Sequence, residues 1–145
     1  MPDTNMPTTT ANQSQAVAER KERRTLALRE AGKETHDAFS AAVHLWADYT
    51  GADGVPPSAS EAVYHMTFKR LIYPKLKIDQ RIKRDDLSRI ELMAIIAMEE
   101  SIATALNDGM RLKETRDDIK GRYKKVASDT AAVFLPGIIA ERGQE

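Results

Sequence analysis

Between Ser14 and Tyr49 the chain holds no proline and a single glycine, Gly32. An unbroken run of this kind, rich in Ala, Arg, Glu and Leu, commits this part of the chain to helix. Its two halves differ. The first, SQAVAERKERRTLALREAG, has sparse apolar positions and reads as an exposed helical arm over about residues 14–35. In the second, Phe39, Val43, Trp46 and then Tyr49 or Thr50 recur at helical spacing, which marks one face as core. Gly32 either stops the arm or sits inside one longer helix.

GADGVPP, Gly51 to Pro57, is the clearest break in the chain. Ser58 and Glu61 then have the form of a capping box, opening a helix expected to stop at Ile72, before Pro74. Val63, Met66, Phe68 or Lys69, and Leu71 or Ile72 supply its buried side. Asp85-Asp86 reads as the next N-cap, and Asn107-Asp108-Gly109 as the end of that helix. Leu92 to Met98 is apolar nearly all round, which places this helix at the centre of the fold or in an oligomer interface. A charged helix follows from Met110 to Thr130, with Leu112, Ile119, Tyr123 and Val126 or Ala127 as its inner stripe. The apolar segment Ala131 to Ile139, interrupted by Pro136 and Gly137, is expected to fold back as a clamp or to join a partner chain. Residues 1–13 are polar, contain two prolines, and are expected to form a disordered tail. No strand pair or internal repeat occurs. The expected class is all-α, a single-domain bundle of about five helices over residues 14–145.

Composition bounds the function. A chain of 145 residues is long enough to bury a real core, and 41% hydrophobic with 30% charged residues fits a globular chain with a charged surface. Without cysteine there is no disulfide framework and no thiolate chemistry. The N-terminus lacks the layout of a secretion signal. The longest apolar run is far below the roughly 18 residues of a membrane span. A cytoplasmic location with no membrane contact is expected.

Charge is unevenly placed. KRLIYPKLKIDQRIKR, Lys69 to Arg84, holds seven basic residues and one acid, +6 in a chain of net charge +0. Two readings of it stand side by side. Lysine and arginine clusters neutralise phosphates and supply the sequence-independent part of nucleic-acid affinity. Alternatively the stretch neutralises neighbouring helices, since Asp85 to Asp118 holds nine acids and four bases. RKERR, Arg20 to Arg24, tilts the balance toward an anionic partner. Tyr73 is one aromatic, too few for a stacking platform. A helix-turn-helix reading of Ala105 to Tyr123 fails on register: Thr115 and Asp118 fall where branched apolar residues belong, and Glu114, Asp117 and Asp118 would face phosphates.

Catalytic and metal signatures are absent. His44 and Asp48 share a helical face and His36-Asp37 lies two turns earlier, but three or four convergent ligands with recognisable spacing are missing. No cofactor or metal is expected. Glu99 stands out, because its helical neighbours Ile95, Ile96, Ile102 and Ala103 are all apolar. A carboxylate there is either paired with a cation of the basic stretch or serves a site; the ion pair is the preferred reading.

Across residues 62–106, a tyrosine-bearing helix with Tyr64 and Leu71 leads through the basic connector ending at Arg84. Asp86-Leu87-Ser88 then opens an apolar helix carrying Glu91-Leu92 and a central Glu99. This pattern resembles the C-terminal region of phage antirepressor and BRO-type regulatory proteins. The resemblance implies a mobile-element regulator that acts by contacting another protein and not an enzyme. These residues hold no counterpart to the separate N-terminal DNA-binding domain such proteins usually carry, which sets direct DNA recognition aside in that reading.

The expected function is therefore a small non-enzymatic helical regulator acting by protein contact in a DNA-linked process. It would be homo-oligomeric through Ile95, Ile96, Met98, Phe134, Leu135, Ile138 and Ile139. The first alternative is direct nucleic-acid binding through Lys69, Arg70, Lys75, Lys77, Arg81, Lys83 and Arg84. The second is an enzyme whose pocket gathers Glu99, a histidine and the Asp48 region.

Overall fold

A computed structural model describes residues 2–51 and 68–143, and every regular element among them is helical. Helix α1 spans Pro2–Thr50, α2 is described over residues 68–75, α3 spans Arg89–Arg111 and α4 spans Arg116–Gly143. A single 3-10 turn, Arg84–Asp86, leads into α3. The residues named above between Ser58 and Met66, including the capping box and Tyr64, lie outside the described residues. None of the described helices is long and apolar enough to cross a membrane.

Helix α1 is continuous through Gly32, which settles the choice that the sequence left open. A Cβ at Gly32 would lie 3.2 Å from the Arg84 guanidinium and 3.2 Å from Ile96, so this glycine permits close approach and does not end the helix. The helix begins at Pro2.

The core follows the stripe predicted on α1. Phe39, Val43, Trp46 and Thr50 are buried, while Tyr49 turns outward and donates its hydroxyl to the Glu114 carbonyl at 2.6 Å. Thr50 stays inside because its hydroxyl is satisfied by the Trp46 carbonyl at 2.8 Å. Phe68 is the hub of an aromatic cluster, with centroids 5.4 Å from Phe39, 5.8 Å from Trp46 and 4.6 Å from Tyr123. These spacings fall in the range that favours tilted and edge-to-face pairs.

Four boundaries differ from the sequence expectation. Helix α2 passes through Pro74 and ends where the Ile78 amide bonds the Tyr73 carbonyl and the Lys77 amide bonds that of Pro74. Helix α3 ends identically: Glu114 bonds back to Gly109, and Lys113 to Met110. Both are Schellman closures, and in both a lysine takes the left-handed position, Lys77 at φ 58° and Lys113 at φ 56°. Gly109 therefore lies inside α3, where a Cβ would stand 2.6 Å from Ile119. Leu112, expected on an inner stripe, is exposed because the chain turns there.

The N-cap of α3 is Ser88, not Asp85-Asp86: its hydroxyl accepts the Glu91 amide at 3.2 Å and donates to the Glu91 carboxylate. Lastly, Ala131 to Ile139 neither folds back nor leaves the chain. It continues α4 through Pro136, and Gly137 lets Ile90 approach to 2.6 Å from where a Cβ would be. Arg142, near the end of α4, donates to the buried Glu91 at 2.8 Å and ties the two helix ends together.

Of the residues expected at an oligomer interface, Ile95, Met98 and Ile138 are buried in the chain's own core. Ile96, Phe134 and Leu135 are half-buried, and Ile139 is exposed.

Candidate functional site

The strongest chemical feature is Glu99, halfway along α3 and only 4% exposed. Its apolar helical neighbours bury it, and two distant elements bring it partners. Arg84, from the 3-10 turn, donates to Glu99 Oε1 at 3.1 Å and to the Gly32 carbonyl at 3.2 Å. His36 Nδ1, from α1, stands 3.2 Å from the same carboxylate oxygen. Glu99 Oε2 has no hydrogen-bond partner among the described residues. Glu99 thus joins α1, the basic connector and α3 at one point. An arginine suits this place, because its fork serves a carboxylate and a carbonyl together.

Glu99 also closes the inner end of a cavity of about 480 Å³. Exposure orders the lining. Lys69, Gln80, Arg81 and Lys83 are exposed and form the mouth. Phe39, Ile72, Ile95 and Glu99 are buried and form the inner wall. His36, Tyr73, Ile82 and Arg84 lie between them. Burial pushes the Tyr73 phenol up, Arg84 opposes this and Glu99 adds to it, so the hydroxyl stays neutral and able to donate.

The seven cations of the basic stretch divide by use. Arg84 is spent internally on Glu99. Arg81 is held locally by Asp79 through a 2.8 Å contact from Nη2, and that hydrogen-bonded pair depresses the Asp79 carboxyl to about 2. Lys69, Arg70, Lys77 and Lys83 are exposed, Lys75 is half-buried, and none of the five has a carboxylate partner among the described residues. Apart from Glu99, the paired acidic residues of α3 and the turn after it look elsewhere: Glu91 to Arg142, Asp108 to Arg111, Glu114 to Arg122.

Of the triad required by an enzyme reading, Glu99 and His36 meet, but Asp48 does not join them. It is exposed on α1, twelve residues beyond His36, or about 18 Å along the axis. His44 is exposed as well. Among the described residues no three His, Asp or Glu side chains converge as a metal site. The cavity-lining role of His36, Tyr73 and Ile82 was not read from the sequence. A signal existed for His36: positions 32, 36, 39, 43, 46 and 50 continue one stripe at alternating steps of four and three.

Compared with known proteins, the chain matches no family model, no curated protein and no solved structure.

Proposed function

We propose that this chain is a small helical regulator of a DNA-linked process whose basic connector, Lys69 to Arg84, contacts nucleic-acid phosphates. The observation that carries this reading is the use made of the cations. Only Arg84 reaches a carboxylate of the acidic helix, and five others, Lys69, Arg70, Lys75, Lys77 and Lys83, have no acidic partner among the described residues. Among the described residues, ion pairing with the acidic helix accounts for one charge of the stretch, not six. The role is one of binding, not catalysis. The likeness of residues 62–106 to antirepressor and BRO-type regulators supports a mobile-element setting and contact with another protein, while the nucleic-acid contact rests on the cations alone.

The test is fluorescence anisotropy of a labelled duplex and a labelled single strand at two salt concentrations. Binding should weaken with salt, with a log–log slope no steeper than about −4.5 if all five unpaired cations meet duplex phosphates. Lys69→Glu, Arg70→Glu, Lys77→Glu and Lys83→Glu together should abolish it without unfolding the chain, since all four side chains are exposed. No binding at low salt refutes the reading.

One observation favours a second reading, self-association. Val133 is 74% exposed and Ile139 53% exposed on the C-terminal part of α4, beside half-buried Phe134 and Leu135. A solution mass that stays monomeric at high concentration excludes it.

A further inference from the structure

We propose that the cavity between α1, α2 and the connector binds a single phosphate monoester joined to a flat ring, namely a nucleoside monophosphate, either free or at the end of a strand. This rests on the nucleic-acid reading above and deepens it. The volume, about 480 Å³, lies in the range of ligand pockets. Two cations without a carboxylate partner among the described residues, Lys69 and Lys83, line the mouth from two different elements, beside the Arg81–Asp79 pair. A phosphate monoester matches them better than a carboxylate, because it brings nearly two charges and three terminal oxygens. The inner wall is apolar and partly aromatic. Phe39 is 1% exposed and closes the floor, while the half-buried His36 and Tyr73 rings supply the aromatic surface that a base can reach. A base stacks on such a surface without sequence preference. Glu99 at the inner end fixes the direction, repelling a phosphate from the floor and leaving it at the mouth. Arg84 does not compete for the phosphate, because Glu99 and the Gly32 carbonyl hold its guanidinium.

Isothermal titration with AMP, adenosine and inorganic phosphate at low salt tests this. AMP should bind at least tenfold more tightly than adenosine, which lacks the anion, and than phosphate, which lacks the ring. Two variants localise the site. Lys83→Glu should weaken AMP at least tenfold. Ile82→Trp, which fills the cavity from a half-buried position, should abolish AMP binding while leaving duplex binding through Arg70, Lys75 and Lys77. Circular dichroism checks that both variants stay folded. Competition by a 5′-phosphorylated single strand, and not by its 5′-hydroxyl twin, identifies a strand end as the source; competition by neither identifies the free nucleotide.

Duplex binding with no AMP binding at about 1 mM overturns the cavity proposal and leaves the nucleic-acid reading standing. Loss of both overturns both. AMP binding indifferent to Ile82→Trp and Lys83→Glu overturns the cavity proposal by placing the nucleotide elsewhere, and phosphate binding as tight as AMP overturns the ring half of it.

Discussion

Replacing Arg84 by methionine tests whether the buried carboxylate organises the fold. The substitution keeps a long apolar stem and removes two hydrogen bonds, one charge-assisted to Glu99 and one to the Gly32 carbonyl. Glu99 is then left almost wholly buried with His36 as its remaining hydrogen-bond partner among those described. Breaking a buried pair from one side costs about 3–5 kcal/mol, and the 29% exposure of the Arg84 side chain puts the expected value at the lower end, about 3 kcal/mol.

Glu99→Met should cost less, about 1–2 kcal/mol, because the freed guanidinium reaches water. The double variant carries no buried charge at this point and presents methionines to Ile95 and Ile102, so it should lie within about 1 kcal/mol of the parent. The double change is thus expected to be more stable than Arg84→Met alone. Trp46, the one tryptophan and 1% exposed, reports urea unfolding directly. For an m-value near 2 kcal/mol/M, the Arg84→Met midpoint should fall by about 1.5 M. An Arg84→Met midpoint indistinguishable from the parent, or a double variant as unstable as the sum of the singles, would refute the reasoning.

Other perturbations read other parts of the structure. Lys113→Gly should stabilise by about 1 kcal/mol in the same urea assay, because glycine relieves the left-handed backbone at φ 56°. Glycine-to-alanine changes should split by sign: Gly121→Ala, with open space at the new Cβ, should gain about 1 kcal/mol, whereas Gly109→Ala, 2.6 Å from Ile119, should lose about 1–3 kcal/mol. Asp79 lies on the surface with a carboxyl lowered from 3.8 to about 2 by its hydrogen bonds to Arg81. A depressed carboxyl contributes stability that is present above its unfolded value near 4 and lost as pH falls toward 2. A carbon-detected NMR titration should place its midpoint near 2, and Arg81→Gln should return it toward 3.8. Asp79→Asn should tighten nucleic-acid binding in the anisotropy assay, because it releases the Arg81 guanidinium from its local partner.

What the sequence made legible follows from what a periodic pattern encodes. The α1 stripe through Phe39, Val43 and Trp46 was readable because a helix half-buried along its length must repeat at 3.6 residues. Glu99 was readable because a lone acid among isoleucines needs a partner, and charge balance pointed to the connector for one. Its second partner, His36, was not, since 63 residues separate the two and only tertiary packing brings them together.

Helix ends were the least legible part, for a specific reason. Gly109 and Gly137 carry the mark of a terminator, yet both serve close approach, to Ile119 and to Ile90. The residues that do turn the chain, Lys77 and Lys113, carry no such mark, because lysine has no preference for the left-handed region. The same misplacement hid the cavity. With α2 taken to stop before Pro74, nothing in the sequence sets the course of the connector. With α2 running through Pro74 and closing at Lys77, the chain instead bends back, setting Arg81 and Lys83 beside Lys69 and swinging Arg84 inward to Glu99. The site therefore depends on a turn that a strained lysine holds. Lys77→Gly removes one cation and relaxes that turn, so it should leave the AMP site intact while weakening duplex binding, a separation that a connector behaving as free chain would not produce.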